Sequence, residues 1–148
     1  MFQLVYCSVA SAGFNQSDIK GILHHSRIFN REHSITGCLL YHEGEFIQIL
    51  EGSKIVVQQL YNKIKQDRRH TNVMLLSEEF VENRIFDNWS MAYCEYEPQS
   101  PGFKHYLFKQ NFIALSELAD KPTETVRLFF YAAKQMLETG FFIEQNIA

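Results

Sequence analysis

Several features that would point to membranes or nucleic acids are missing from this 148-residue sequence. No apolar run approaches the roughly 20 residues that a membrane-spanning helix needs. The net charge is −3 and no long basic run occurs, whereas binding to nucleic-acid phosphates needs clustered Lys and Arg. We therefore expect neither a membrane span nor direct nucleic-acid binding.

Cysteine is also scarce, since the chain has three, at Cys7, Cys38 and Cys94, with no C-x-x-C pair among them. No secretory signal precedes the first predicted strand, so we expect reduced, buried thiols and a cytoplasmic location. The neighbouring His24 and His25 do not indicate a metal site, because adjacent helical residues point about 100° apart. We therefore expect no bound metal.

A glycine-rich phosphate loop and a Ser-His-Asp set are absent as well, and we expect no enzyme activity. The sequence is rich in apolar material instead: 46% of its residues are hydrophobic, including 13 Phe and 7 Tyr. A chain of this length can bury a core as one domain. Its aromatic residues also leave material for the pocket of a flat ligand or for an interface.

Periodicity predicts an α+β fold with the element order β-α-β-β-α-β-β. Asn15 and Ser53 are the predicted N-caps of the two helices, and Glu43 and Gly44 form the predicted hairpin turn. This order matches the ferredoxin-like arrangement, in which both helices lie on one face of an antiparallel-rich sheet. The predicted elements are strand 2–10, helix 16–31, a hairpin over 34–52, a helix from residue 54, and strands 73–80 and 89–97.

The face of the sheet opposite these helices is also predicted to be apolar. A linker is predicted over 97–102, followed by two helices, one over about 103–119 and one over TETVRLFFYAAKQMLETG. We expect these helices to cover the second face, so that residues 98–148 form an extension packed on a domain of residues 1–97. Strand parity places on this face Val5, Cys7, Val9, Ile47, Ile49, Ala92 and Cys94.

Polar side chains interrupt the apolar pattern on the helix-facing side of the sheet. Tyr6 and Gln48 share that face, and the inward stripe of the first helix ends in Ser26 and Asn30. A buried carboxamide needs hydrogen-bond partners, so a ligand pocket between sheet and helices would explain these residues together. Each also has a simpler explanation, because core Tyr and Gln usually bond a neighbour and the basic segment 63–70 suits a solvated helix end.

Four motifs in this order resemble the BLUF family, the blue-light-sensing flavin modules. They are LVYCSVA, SRIFNREHSITGCLLYHEGEFIQILEG, LYNKIKQDRRH and FDNWSMAY, and the resemblance extends over residues 2–96. It implies a blue-light photoreceptor of the same β-α-β-β-α-β-β fold, with FAD held non-covalently between the two helices. FMN is the alternative cofactor, since FAD follows family habit alone.

The resemblance also implies roles for individual residues. Tyr6 would give up an electron and a proton under light, and Gln48 would relay the proton and rearrange by rotation or tautomerisation. A new hydrogen bond to the flavin carbonyl would then shift the absorption to the red. Where the family often has a second Asn beside Asn30, this chain has Phe29, which removes one polar contact. The implied flavin contacts are Tyr6, Ser26, Asn30, Gln48, Lys63, Asp67, Arg69 and His70, and the implied signal relays are Ser8, Trp89 and Met91.

The output of such a sensor would leave by non-covalent contact with a downstream signalling protein. A response-regulator-like protein, a transcriptional regulator or a second copy of the chain would suit, and short sensors of this family often form homo-oligomers. Two other interpretations stay open: a light-insensitive ferredoxin-like interaction module, and an enzyme such as a small flavin reductase or a phosphatase of similar fold. A yellow protein that shifts to the red under blue light would exclude the interaction module, and turnover of a reduced nicotinamide would favour the enzyme.

Overall fold

The computed structural model describes residues 1–86, 92–95 and 123–139. Trp89, Met91, the predicted helix over 103–119 and the predicted domain boundary after residue 97 lie outside these ranges, so those predictions stay predictions. The strands are β1 (Phe2–Ala10), β2 (Thr36–His42), β3 (Glu45–Gly52), β4 (His70–Phe80) and β5 (Ala92–Glu95), and the helices are α1 (Gln16–Glu32), α2 (Lys54–Gln66) and α3 (Glu124–Thr139).

The described strands form one five-stranded sheet in the order β4-β1-β3-β2-β5. β1 pairs antiparallel with β3 and with β4, and β2 pairs antiparallel with β3. β5 lies parallel to β2 at the edge. Because β3 separates β1 from β2, the β1-α1-β2 unit is split, and the predicted ferredoxin-like α+β fold is confirmed.

The predicted N-caps of the two helices behave differently. The Asn15 side chain accepts hydrogen bonds from the backbone N–H groups of Ser17 (2.9 Å) and Asp18 (3.1 Å). The Asp18 carboxylate accepts from the Asn15 N–H at 2.9 Å, which completes a capping box at the start of α1. Ser53 occupies the N-cap position of α2 as predicted, although its side chain makes no capping hydrogen bond.

The β2–β3 hairpin sets the register on which the site depends. Its turn residues Glu43 (φ 47°) and Gly44 (φ 81°) both have positive φ, as the tightest hairpin turns require. In the resulting register Leu39 on β2 lies opposite Gln48 on β3. On the other side of β3, Tyr6 on β1 lies opposite the same glutamine.

Both faces of the sheet are covered by helices. On one face, α1 and α2 pack on the sheet through a cluster that includes Leu4, Phe46 and Leu50. On the other face α3 does so, which confirms for this helix the prediction that a C-terminal helix covers the second face. The second cluster contains Val5, Cys7, Cys38, Leu40, Ile47, Ile49, Phe86, Val126, Phe129, Phe130, Ala132 and Ala133.

Membrane spans, metal ligands and cysteine thiols are the next features of the described ranges. None of the helices there is long and apolar enough to cross a membrane. No group of three or more His, Cys, Asp and Glu in these ranges is arranged to hold a metal ion. Cys7 and Cys38 are buried free thiols, and burial raises the pKa of the Cys7 thiol to about 11.

Candidate functional site

Tyr6 and Gln48 are brought together by the sheet itself. They are direct cross-strand partners in the β1–β3 register, and both line a cavity on the face that carries α1 and α2. The Tyr6 hydroxyl donates a hydrogen bond to Gln48 Oε1. Their exposed fractions are 1% and 4%, so this hydrogen bond is shielded from water. The structure thus places a buried phenol and a buried carboxamide in direct contact.

The cavity has a volume of about 240 Å³ and lies between the sheet and the two helices. Its apolar walls come from Ile22 on α1, Leu39 on β2, and Leu60 and Ile64 on α2. The volume is slightly below the range of small-molecule pockets, which is about 300–1,000 Å³. A lining of this kind suits a flat ligand that is apolar on one part and polar on another.

Helix α1 adds a polar part to the cavity wall. Ser26 and Asn30 continue the stripe that begins with Ile19 and Ile22, and both line the cavity. Asn30 is completely buried and Ser26 is half-buried. A carboxamide donates and accepts hydrogen bonds at once, so Asn30 can pair with a ligand edge that carries both kinds of group.

The segment after α2 brings charged side chains to the cavity. Asp67 and Arg69 form an ion pair, with 2.6 Å between Asp67 Oδ2 and Arg69 Nη2. The hydrogen bonds from Arg69 hold the pKa of the Asp67 carboxyl below its usual range, and those to Asp67 raise the pKa of Arg69. Lys63 and His70 line the same cavity, so the structure brings together all four of these sequence-predicted residues.

Phe29 and Lys63 connect α1 with α2 at the cavity. The Lys63 Nζ atom lies 4.8 Å from the centroid of the Phe29 ring, which is a cation–π distance. Phe29 also stacks on His33, the residue that follows α1, with ring centroids 3.9 Å apart. Phe29 therefore presents an aromatic ring at this part of the cavity, and Lys63 lies over it.

Burial raises the pKa of the Tyr6 hydroxyl above its ordinary value, and charge interactions with Tyr61, Asp67 and Cys7 add to the rise. The rings of Tyr6 and Tyr61 have centroids 5.5 Å apart. Tyr6 therefore keeps its hydroxyl proton throughout the neutral pH range and stays a neutral hydrogen-bond donor.

His70 links the cavity to β1. Its Nδ1 atom and Ser8 Oγ are hydrogen-bonded at 2.9 Å, and both residues are buried. Burial lowers the pKa of His70; the Asp67 carboxylate opposes this shift and the Arg69 cation adds to it. His70 is therefore neutral at neutral pH, and Ser8 contacts the site through it.

The lowered pKa of His70 predicts a loss of stability in mild acid. A side chain with a lower pKa in the folded state stabilises the fold above its unfolded-state pKa, about 6.5 for His, and this contribution disappears as the pH falls through the folded-state pKa. We expect the free energy of unfolding, measured by urea denaturation, to fall less steeply from about pH 7 to pH 5 in His70→Gln than in the wild type. Equal slopes in His70→Gln and in the wild type would contradict the prediction.

Sequence reasoning did not assign to the site several residues that the structure places there. For the apolar ones among them the signal was inward-facing periodicity, but this pattern marks core residues and cavity walls alike, and the exposed His25 gave no such signal. Trp89 and Met91 lie outside the described residues, so their implied relay roles stay predictions. The additional cavity residues are Ile22, His25, Leu39, Leu60 and Ile64.

A family model described as BLUF, sensors of blue-light using FAD, matches residues 1–92 of the chain. The chain belongs to the BLUF family. The matched region contains β1 to β4 with both intervening helices and every residue of the cavity. This BLUF chain is therefore a member of the blue-light flavin sensors, and the resemblance that the sequence motifs indicated is confirmed.

Curated relatives of this BLUF chain are named as subunits of photoactivated adenylate cyclases. The beta subunit of Euglena longa is 37% identical over 90 residues, which are 60% of this chain and 10% of that protein. The alpha subunit of Euglena gracilis is 36% identical over 86 residues, 58% of this chain and 8% of that protein. The BLUF chain thus spans about one tenth of the length of the curated relatives it matches.

Solved structures place the same fold in longer and in shorter proteins. A bacterial light-regulated adenylyl cyclase has a TM-score of 0.63 at 34% identity, with 79% of this chain and 34% of that chain covered. BlrB, a BLUF protein in its dark state, has a TM-score of 0.67 at 26% identity, with 90% of this chain and 96% of that chain covered. The BLUF fold therefore occurs within a longer cyclase and in a chain of about this length.

The residues around the cavity fit a flavin. One edge of the flavin ring offers hydrogen-bond acceptors and a donor, and the buried carboxamides of Gln48 and Asn30 carry both complementary groups. The apolar walls suit the hydrocarbon part of the ring. Arg69 and Lys63 are cations in the lining of the cavity, and a phosphate-bearing tail needs such positive charge.

Proposed function

We propose that this BLUF chain is a blue-light photoreceptor that binds FAD non-covalently and passes a signal to a partner protein. The observation that carries the proposal is the hydrogen bond from Tyr6 to Gln48 at the wall of a cavity that fits a flavin. The description of the family as sensors using FAD supports FAD over FMN.

When bound, the flavin supplies a chromophore that becomes a strong electron acceptor after it absorbs blue light. Tyr6 is the electron donor on the protein side, and its hydroxyl proton already points along a hydrogen bond to Gln48 Oε1. Its raised pKa holds that proton in place in the dark. Gln48 would relay the proton and reorient its carboxamide by rotation or tautomerisation. The electron and the proton would then return to Tyr6, so that the hydrogen bonds made by Gln48 are what differs afterwards.

The remaining cavity residues hold and orient the cofactor. Asn30 and Ser26 on α1 would hydrogen-bond polar groups of the cofactor, and Lys63 lies over the Phe29 ring at the same cavity. Arg69, kept in position by its ion pair with Asp67, provides a cation for the phosphates. Neutral His70 lines the cavity in which the cofactor would bind. Because His70 is hydrogen-bonded to Ser8, a displacement of its ring would also move Ser8 on β1.

Asn30→Ala is expected to weaken flavin binding without abolishing the photoreaction. The substitution leaves polar groups on the buried ligand edge without their partner, at a cost of about 1–3 kcal/mol, or roughly 5- to 150-fold in Kd. Kd is measured by titrating FAD into cofactor-free protein and following flavin fluorescence. Asn62→Ala, an exposed asparagine on α2, is the control and should bind as the wild type does. An unchanged Kd in Asn30→Ala would show that Asn30 does not contact the cofactor.

The proposed function is tested by absorption spectra of the purified chain, reconstituted with FAD, in the dark and under blue light. We expect flavin bands that move to longer wavelength under light and recover in the dark, whereas free FAD in the same buffer shows no such reversible shift. Chromatography of the cofactor released by heat identifies FAD or FMN. A protein that binds no flavin, or whose bound flavin shows no reversible shift, would overturn the proposal.

The output of the sensor is proposed to be a protein contact and not a reaction of this chain. In the relatives that are named as cyclases the matched region is a small part of a longer protein, which supports a light signal that passes from the sensor to other parts of an assembly. A response-regulator-like or transcriptional-regulator partner, or a homo-oligomer, would receive it in the cytoplasm. Residues 1–97 then act as the sensor and 98–148 as its output extension, since α3 packs on the face of the sheet opposite the cavity.

A further inference from the structure

Glu51 is a completely buried carboxylate on the sheet face opposite the cavity. It lies on β3 three residues after Gln48, and the alternation of side chains along a strand places the two on opposite faces. Flavin binding makes no use of it. A buried carboxylate is costly unless it is fully hydrogen-bonded, so its partners indicate what it holds.

Each oxygen of the Glu51 carboxylate accepts two hydrogen bonds. Oε1 accepts from the Phe86 backbone N–H (2.8 Å) and from Thr36 Oγ1 (3.1 Å). Oε2 accepts from the Ile85 backbone N–H (2.8 Å) and from Gln3 Nε2 (2.8 Å). The carboxylate therefore fastens to β3 the segment that leads along the chain towards β5.

Arg84 strengthens the same attachment. Its Nη1 atom donates to the backbone oxygen of Glu51 (3.1 Å) and to Thr36 Oγ1 (2.8 Å), and its Nη2 atom donates to the Ser34 oxygen (2.6 Å). Residues 84–86 are thus held to β3, to Thr36 on β2 and to Ser34 by hydrogen bonds of the Glu51 and Arg84 side chains.

Gln3 extends the contacts of Glu51 to α3. Its Oε1 atom accepts a hydrogen bond from Thr123 Oγ1 at 2.7 Å, and Thr123 Oγ1 accepts from the Val126 backbone N–H at 3.3 Å. Because a carboxylate only accepts, Gln3 must turn its amide N–H to Glu51 and its carbonyl to Thr123. The hydrogen bonds therefore run in one direction from the first turn of α3 to Glu51. We name Gln3, Thr36, Glu51, Ile85, Phe86 and Thr123 the Glu51 network.

We propose that Glu51 is a positioning residue for the light response, which couples the strand of Gln48 to residues 84–86 and, through Gln3 and Thr123, to α3. This inference rests on the proposed function, since the Tyr6–Gln48 hydrogen bond is the two-state element that starts the change. A displacement of β3 at Gln48 moves the Glu51 carboxylate, and its four donors must move or lengthen their bonds. Because the hydrogen bonds of this buried chain polarise one another, a change at the Glu51 carboxylate reaches the first turn of α3.

Four variants at three positions separate coupling from mere structural support. Glu51→Gln keeps the shape, but in either orientation its NH₂ group faces one of the two backbone N–H donors. Thr123→Val removes only the hydroxyl at the start of α3, and Thr123→Ser restores it. Ser77→Ala removes the 2.7 Å hydrogen bond between Ser77 and Thr125, which fastens α3 to the edge strand β4 and does not involve Glu51.

The experiment is hydrogen exchange of the FAD-loaded full chain in the dark and under blue light, with the absorption shift recorded on the same samples. In the wild type we expect light to change the exchange of the Ile85 and Phe86 amides and of the α3 amides. Glu51→Gln should keep the red shift and lose both changes. Thr123→Val should lose only the change in α3, and Thr123→Ser and Ser77→Ala should keep the wild-type pattern.

Each outcome bears on one of the two proposals. A wild-type red shift without any change at these amides would overturn the coupling while leaving the proposed function intact. The same holds if Glu51→Gln and Thr123→Val keep the full light-induced change, or if Ser77→Ala loses it as they do. Should Glu51→Gln fail to fold, the comparison of Thr123→Val with Thr123→Ser still tests the coupling to α3. An absent red shift in the wild type would overturn the proposed function, and the coupling with it.

Discussion

Gln48→Leu is expected to remain yellow and to lose the light-induced red shift completely. Leucine fills most of the volume of glutamine in the buried position, so the sheet and the cavity persist. It has no oxygen to accept the hydroxyl proton of Tyr6 and no N–H to offer afterwards. The light-minus-dark difference spectrum at saturating FAD measures the effect.

Gln3→Met is the matched control for Gln48→Leu. Gln3 is also a completely buried glutamine and lies on the neighbouring strand β1, but it faces α3 and not the cavity. We expect it to keep the red shift. A normal shift in Gln48→Leu would contradict the role given to Gln48, and loss of the shift in both variants would indicate a general disturbance of the sheet.

Tyr6→Phe is expected to bind FAD as the wild type does and to form no red-shifted state. The phenylalanine ring keeps the packing of Tyr6, but the donor of the hydrogen bond to Gln48 is gone. Phenylalanine is also far harder to oxidise than tyrosine. The fluorescence lifetime of the bound flavin should lengthen, because the adjacent electron donor is missing.

Tyr61→Phe tests whether any nearby tyrosine can act in place of Tyr6. The Tyr61 ring lies 5.5 Å from that of Tyr6, centroid to centroid, and is almost as deeply buried. We expect this variant to keep the red shift, since no hydrogen bond from Tyr61 to Gln48 supports a proton path. A photoreaction that survives in Tyr6→Phe and disappears in Tyr61→Phe would transfer the donor role to Tyr61.

The local sequence pattern was sufficient to predict that the central residues of the site lie close together. Strand parity places Tyr6 and Gln48 on one face, and helix periodicity turns Asn30 towards it. These rules act within a single element and need no knowledge of distant contacts. The family resemblance added what periodicity could not, namely the ligand and the roles of Lys63 and Arg69.

Strand β4 shows where local pattern was insufficient. Its apolar run predicted a start at Val73, whereas the observed strand starts at His70. Pairing of Ala10 with His70 and of Val9 with Thr71 extends the ladder into polar residues, with irregular register and a positive φ of 50° at Asn72. The partner strand, and not the propensity of these residues, sets this boundary.

The Glu51 network was missed for a related reason. Parity puts Gln3 and Glu51 on the second face, and two buried polar residues among apolar neighbours were a visible signal. Two of the four donors to Glu51, however, are backbone N–H groups of the irregular segment at Ile85 and Phe86, which carry no sequence signature. A buried carboxylate can be located from sequence, but the distant backbone that satisfies it cannot.

The two-residue turn at Glu43 and Gly44 fixes the strand register and so restricts where residues can be inserted into this protein. One residue inserted into β3 ahead of Gln48 would move every later side chain of the strand to the opposite face of the sheet. The glutamine would then point towards α3. An isoleucine would then occupy this position in the wall of the cavity. The cavity would lose the glutamine on which the proposed light response depends. Tags, linkers and fused effectors therefore belong outside 36–52, where added length leaves the alternation of the strand unaltered.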